Sequence, residues 1–368
     1  MNIPFVNLKA QYSKIKTEID ESIKNVIEDT AFIRGKYVEK FEKDFSKAYG
    51  VKHVVSCANG TDAIYISLKA LGIGTGDEVI TTASSWISTS ETISQTGAKV
   101  VFVDIDPNHY VINTNKIEEV ITKNTKAIIP VHLYGHPANM TKILKIAKKY
   151  NIQVIEDCAQ AHFSTWNKKK VGTYGIAGTF SFYPGKNLGA YGDAGCIISD
   201  DYDFAKKAKM YANHGALKKH FHDIEGINSR MDGIQASILS VKLKYMNEWT
   251  ALRQKNARLY DNLLSPLRQV ITPCVNEKAQ HVYHLYVIRT NNRDSLIAHL
   301  KSKNISTAIH YPTPLPFLKA YDYLNHTKEE FPVVFKQQKE ILSIPMFPEL
   351  SVEEIKYVVK SINQFFKK

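Results

Sequence analysis

Residues 178–199 read GTFSFYPGKNLGAYGDAGCIIS, and within them an apolar run gives way at Phe182 to a loop broken by Pro184 and several glycines. One lysine, Lys186, stands in that loop among small residues, with no acidic neighbour until Asp193. A lysine in a loop is ordinarily solvated surface, because its ammonium group is strongly hydrated. Kept neutral, the same amine is a nucleophile for a carbonyl and, once displaced, a base that can move a proton.

Three other stretches carry complementary chemistry, each where an apolar run ends. In CANGTDA (57–63), Gly60 and Thr61 fall where a strand turns into a helix, so exposed backbone N–H groups and the helix dipole can hold a phosphate dianion. The same residues also suit a plain Asn-Gly turn with Thr61 as N-cap. In VIEDCAQAH (154–162), Glu156 and Asp157 end a buried strand, where a carboxylate is costly unless partnered. A structural salt bridge and a functional anion are equal candidates there. Opposite a pyridine nitrogen, Asp157 would keep that nitrogen protonated, and Gln160 could hydrogen-bond a phenolic oxygen of the same ring. SSWIST (84–89) supplies Trp86, either a core residue or a flat platform for a ring, and Ser181 offers a hydroxyl next to the lysine loop. These are the parts that a phosphorylated pyridine aldehyde needs.

The elements that must position them follow from the pattern of apolar runs. HVVSC (53–57), EVITTA (78–83), KVVFVDI (99–105), KAIIPVHLYG (126–135), QVIEDCA (153–159) and GTFSFYP (178–184) read as strands, with helices over 61–71 and 140–150 between them. Such alternation predicts an α/β fold with a mainly parallel sheet covered on both faces, whose ligands sit beyond the carboxyl ends of the strands. Residues 234–260 read as one long or broken amphipathic helical segment linking two domains. Beyond it, HVYHLYVIRT (281–290), a helix near 294–303, HYPTPLP (310–316) and a closing helix over 352–366 predict a smaller α+β domain. The expected division is a large domain over 1–245, including an N-terminal arm, and a small C-terminal domain over 246–368.

Composition sets the outer bounds. With 368 residues and 44% hydrophobic content the chain can bury a large core. Its apolar runs fall far short of the ~20 residues of a bilayer-spanning helix, and the start has no signal-peptide pattern; a cytoplasmic protein with no membrane partner is expected. The net charge of +12 is spread along the chain without a recognised nucleic-acid module, so no nucleic-acid partner is expected, although the positive field attracts anionic nucleotides and phosphates. Cys57, Cys158, Cys196 and Cys274 show neither CxxC nor zinc-finger spacing and read as buried free thiols, with no metal site. The glycines of GIGTGDE (72–78) precede a strand instead of following one, which argues against a nicotinamide-binding fingerprint.

Taken together, CANGTDAIY, EDCAQAH and FSFYPGKNLGAYGDAG, in this order, resemble the DegT/DnrJ-type sugar-nucleotide aminotransferases of the aspartate aminotransferase fold (fold type I). The likeness runs from IPFVNLKAQY at residue 3 through GINSRMDGIQA (226–236) to HYPTPLP. It implies pyridoxal 5'-phosphate (PLP) as cofactor, bound to Lys186 as an internal aldimine, with Asp157 on the pyridine nitrogen and Gln160 on the phenolic oxygen. It also implies that Gly60, Thr61 and Ser181 hold the phosphate while Trp86 stacks on the ring. The resemblance further implies a homodimer with shared active sites, Asn228 reaching the other chain's phosphate, and a ping-pong reaction moving the amino group of L-glutamate to a keto-sugar nucleotide. Tyr183, Arg230, His310 and Tyr311 are the candidates near the sugar or its diphosphate. Relatives acting at carbon 4 often carry His where this chain has Tyr183, so the pattern is similar to enzymes of 3-keto sugars: a 3-keto hexose on dTDP or UDP is expected, in amino-sugar synthesis for a surface polysaccharide such as lipopolysaccharide O-antigen or another glycoconjugate. The alternatives are a 4-keto-sugar enzyme and a non-catalytic PLP-binding regulator. Phe317 and Phe163 depart from the family pattern, which has His and Gly there, so substrate contacts are expected to differ at both places.

Overall fold

The computed structural model describes residues 1–367. Seven strands form the central sheet: β1 (His53–Cys57), β2 (Glu78–Thr82), β3 (Lys99–Val103), β4 (Thr125–Ile129), β5 (Gln153–Asp157), β6 (Ala177–Ser181) and β7 (Gly195–Ser199). They lie in the order β1-β7-β6-β5-β4-β2-β3. The run from β3 to β6 is parallel, whereas β7 is antiparallel to both its neighbours. The expectation of a mainly parallel sheet holds, and β7 is the exception that the apolar run at 196–198 did not disclose.

The sheet is buried on both faces because its strands are apolar at successive positions, and successive side chains point to opposite sides. Val79 and Ile155 enter one core cluster while Ile80 and Val154 enter another. The helices that cover it include α1 (Leu8–Glu28), α2 (Lys36–Tyr49), α3 (Gly60–Ala70), α4 (Ser88–Gln95), α5 (Met140–Tyr150), α6 (Tyr202–Tyr211) and α7 (Gly233–Leu243). Helix α2 buries Val38, Phe41, Phe45 and Tyr49, a stripe at helical spacing that packs against Phe180 and Phe182 beside the lysine loop.

The amphipathic segment expected over 234–260 is two helices, α7 and α8 (Met246–Leu264), broken at Lys244–Tyr245. After α8 come β8 (Tyr286–Arg289), α9 (Arg293–Ser302), α10 (Pro332–Gln337), β9 (Ile341–Ile344) and α11 (Val352–Phe366), with β8 and β9 antiparallel. Of these, Val334 of α10 packs into the cluster that holds Val79 and Ile155 of the central sheet, whereas α8, β8, α9, β9 and α11 share a core of their own, with Tyr260, Tyr286, Leu300, Leu342 and Val358 among its members. The start of the chain joins this core: Ile3 is buried in it and bridges Ile305. Three of the four thiols are buried as expected, whereas Cys274 is exposed, since the loop carrying it between α8 and β8 runs over the surface. Among the described residues no helix is long and apolar enough to cross a membrane.

Candidate active site

Parallel strands end on the same side of a sheet, and a cavity of 740 Å³ opens there, lined by residues that follow β1, β2, β5 and β6 and by the segment around 310. Ten of the twelve residues expected at the site line it: Gly60, Thr61, Trp86, Asp157, Gln160, Ser181, Tyr183, Lys186, His310 and Tyr311.

Lys186 stands in a tight turn in which its own N–H donates to the Tyr183 carbonyl at 2.8 Å and Ala190 N–H donates to the Phe182 carbonyl at 2.7 Å. Its amine has no hydrogen-bond or ion-pair partner among the described residues. Burial lowers its pKa to about 8, and the charge of Asp157 acts in the opposite direction. The group is therefore an amine that ionises near neutrality, directed into a cavity.

The two adjacent carboxylates have separate roles. Glu156 accepts from the backbone N–H groups of Tyr174 (2.6 Å), Gly175 (2.9 Å) and Gly172 (2.8 Å). It also faces His132 Nε2 at 3.1 Å. His132 Nδ1 accepts from Ala138 N–H, so Nε2 carries the hydrogen and donates to Glu156. Although His132, Glu156 and Cys158 place ligand atoms within 4.8 Å of one another, the carboxylate is saturated by backbone and burial pushes the Cys158 thiol pKa up. The group is a structural anchor. Asp157 turns to the cavity, with Oδ2 accepting from Thr89 Oγ1 at 2.8 Å and Oδ1 from Ala159 N–H at 3.1 Å. Strand alternation sends the neighbours to opposite faces, which resolves the ambiguity left by the sequence.

One end of the cavity is formed by the first turn of α3. Asn59 caps it, its side chain accepting from Asp62 N–H at 2.8 Å, and Thr61 Oγ1 lies 2.7 Å from Ser88 Oγ at the start of α4. A Cβ at Gly60 would lie 2.6 Å from Ser181 Cβ, and one at Gly195 would lie 2.3 Å from the Asn59 carbonyl. The backbone is thus drawn against β6 and β7 more closely than a side chain permits, leaving its N–H groups bare toward the cavity.

The opposite wall comes from the C-terminal part. Gln160 Oε1 accepts from Tyr134 N–H at 2.7 Å, and its Nε2 donates to Tyr311 Oη at 3.0 Å. Tyr134 in turn donates through its hydroxyl to the His310 carbonyl. The Trp86 ring leans on Tyr311 at 5.7 Å, and with Tyr183 it is more than half exposed at the cavity wall, so neither is a core residue. His310 has its pKa lowered to about 4, by burial first and then by Lys186, so it is neutral at pH 7.

Asn228 and Arg230 do not line this cavity. Asn228 is exposed and bridges Asn213; Arg230 lies close enough to Arg34 to lower the pKa that burial already depresses there. Between them Ser229 ties the segment to α3, donating to Asp62 at 2.6 Å and accepting from Ala58 N–H at 3.0 Å. Phe163 and Phe317, expected to alter substrate contacts, also lie off the cavity: the first packs on Tyr49 and the second on Phe331 and Phe335. Asn59, Ser88, Thr89, Arg253 and His284 line the cavity without having been foreseen. Thr89 lies one turn after Trp86 and Asn59 inside CANGTDA, which was the only local signal. Nothing in the sequence around Arg253 or His284 points to a site.

The DegT/DnrJ/EryC1/StrS aminotransferase family matches residues 13–363 of the chain. A "Pleiotropic regulatory protein" of Geobacillus stearothermophilus is 45% identical, covering 100% of this chain and 99% of the relative. The "dTDP-3-amino-3,6-dideoxy-alpha-D-galactopyranose transaminase" of Aneurinibacillus thermoaerophilus is 41% identical, over 99% of both. Among solved structures, that of DesV from S. venezuelae in complex with a ketimine intermediate superposes with a TM-score of 0.97, at 33% identity, covering 100% of this chain and 99% of that one.

Proposed function

Because the chain belongs to the DegT/DnrJ/EryC1/StrS aminotransferase family, we propose that it moves the amino group of L-glutamate to carbon 3 of a keto-hexose carried on dTDP or UDP. The family's enzymes depend on pyridoxal phosphate, and this chain is one of its aminotransferases. The residues present fit that cofactor: an unpartnered amine, a carboxylate held at one fixed orientation, and a helix start that the missing side chain of Gly60 allows to lie against Ser181 at the cavity wall. When bound, the cofactor supplies an electron sink for the carbanion formed at the donor's α-carbon.

In this reading Lys186 Nζ would hold the cofactor and, once released, would take up and return the proton moved during amino transfer. Asp157, oriented by Thr89 and Ala159, keeps the ring nitrogen protonated. Gln160, fixed at both ends, meets the phenolic oxygen. Gly60, Thr61 and Ser181 would take the phosphate, and Trp86 would face the ring. Neutral His310, with Tyr311 and Tyr183, meets the sugar, and Arg230 its diphosphate from the partner subunit. Asn228 reaches the partner's phosphate in the same way, which fits its exposed position away from its own chain's cavity. The working molecule is then a homodimer, in the cytoplasm, serving amino-sugar synthesis for a surface polysaccharide. Each chain divides into residues 1–245 and 246–368, supported by the core that α8, β8, α9, β9 and α11 share and that Ile3 of the N-terminal arm joins. Tyr183 after Ser181, in place of His, favours a 3-keto over a 4-keto substrate, and the Aneurinibacillus relative supports a dTDP carrier.

The observation that carries this reading is the meeting of the Lys186 amine, the Asp157 carboxylate and the first turn of α3 in one cavity. The test is a visible spectrum of the purified protein, expected to show a band that Lys186→Ala abolishes, followed by turnover of 3-keto and 4-keto sugar nucleotides with glutamate. Faster turnover of the 4-keto compound would overturn the position assigned. The name of the 45% identical relative favours a second reading, a PLP-binding regulator; a band with no turnover of any keto-sugar nucleotide would select it.

A further inference from the structure

Lys242, on α7, is 1% exposed, and its amine meets two groups: it donates to the Gly189 carbonyl at 2.6 Å and lies over the Tyr191 ring at 4.4 Å. A buried ammonium is costly unless its surroundings repay the lost hydration. Here both compensating groups belong to one short loop, the one carrying Lys186. Helix α7 grips the same loop at a second point, where Gln235 Oε1 accepts from Tyr191 N–H at 2.9 Å. The loop admits little slack, since a Cβ at Gly189 would stand 2.3 Å from the Pro184 carbonyl and one at Gly192 would stand 2.9 Å from Gln235 Nε2. Burial lowers the Lys242 pKa to about 8 against the opposing charge of Glu349, so the group retains its proton at pH 7.

We propose that Lys242 is a positioning residue, whose buried ammonium clamps the Gly189–Tyr191 segment and thereby fixes where the Lys186 amine enters the cavity. The proposal rests on the assignment of Lys186 as the cofactor lysine. A carbonyl and a ring face satisfy a cation with three donors only partly, so the buried charge holds tightly to the two groups it has, both of them in the neighbouring turn. Substitution by Met keeps the side-chain volume and removes both the donor and the charge, so packing alone predicts no change in the loop.

The test compares Lys242→Met with the wild-type holoenzyme. Hydrogen exchange of the Lys186, Ala190 and Tyr191 amides is expected to quicken at least tenfold while amides of β5 stay within twofold. The kcat is expected to fall at least tenfold with KM for the sugar nucleotide within threefold. Loop exchange and kcat both within twofold of wild type overturn the proposal, as does a loss spread evenly over loop and sheet. If Lys242→Met does not fold, Tyr191→Leu, which removes the ring face alone, is expected to quicken the same three amides at least threefold, and unchanged exchange there overturns it. Failure of the underlying assignment is distinguishable, because then the wild-type protein itself lacks the visible band that Lys186→Ala removes.

Discussion

Two adjacent carboxylates on one strand answer to different physics. Glu156 accepts three backbone N–H groups in a sealed site, so Glu156→Gln leaves donors facing donors and is expected to cost about 2 kcal/mol. A fall in thermal midpoint with the cofactor spectrum unchanged checks it. Asp157→Asn keeps the shape but removes the charge in the cavity, and a loss of about a hundredfold or more in kcat with little change in thermal midpoint is expected. The Lys186 amine adds a pH dependence. Its pKa is lowered by burial to about 8, so the neutral form grows as pH rises through 8. The rate at which cofactor-free protein develops the visible band on adding pyridoxal phosphate should rise between pH 7 and 9 and level off above. The sign for folding is the same: stability of the cofactor-free protein is lower below pH 8, where folding must bury a charged amine, and recovers as pH rises toward the unfolded value of 10.5. A rate that falls across this range would contradict a buried, charge-averse lysine.

At the scale of elements, the site is a set of strand ends and helix starts brought together by close backbone approach. Helix α3 reaches its position only because Gly60 lacks a side chain against Ser181. Gly60→Ala is expected to push the first turn of α3 outward and weaken phosphate-dependent cofactor binding about tenfold, or about 1.4 kcal/mol, measured by titrating the cofactor-free protein. Most of this scaffold was legible in the sequence, because the residues that follow each apolar run are of types that buried strands do not otherwise end on. Lys186, Asp157 and Gly60 each announced themselves in that way. The antiparallel sense of β7 was not legible: GCIIS is as apolar as the parallel strands of the sheet, and direction leaves no local mark. The roles of Glu156 and Asp157 were not separable until the strand's faces were known. Arg253 and His284 escaped because long-range folding, not local pattern, brings them to the cavity. Arg253 holds the backbone carbonyls of Tyr283 and Met346 at 3.1 and 3.0 Å, contacts no sequence window contains.

The whole molecule raises the question of completeness. If Asn228 serves the partner's site, a chain lacking Lys186 and a chain lacking Asn228 each fail alone but restore one another when mixed. Co-refolded Lys186→Ala and Asn228→Ala proteins are expected to recover about a quarter of wild-type activity per chain, since half the dimers are hybrids and each hybrid holds one intact site. No recovery above the sum of the two parents would place Asn228 in its own chain's site or in none. The distribution of sulfur has a further use at this scale. Cys57, Cys158 and Cys196 are sealed in the core, where burial raises their pKa, whereas Cys274 alone stands open to solvent on the loop between α8 and β8. A thiol-directed fluorophore should therefore attach at one position per subunit without any engineering. Mass spectrometry of the native protein would read a single adduct, and if the chain pairs as proposed, two differently coloured labels would then report subunit exchange by energy transfer.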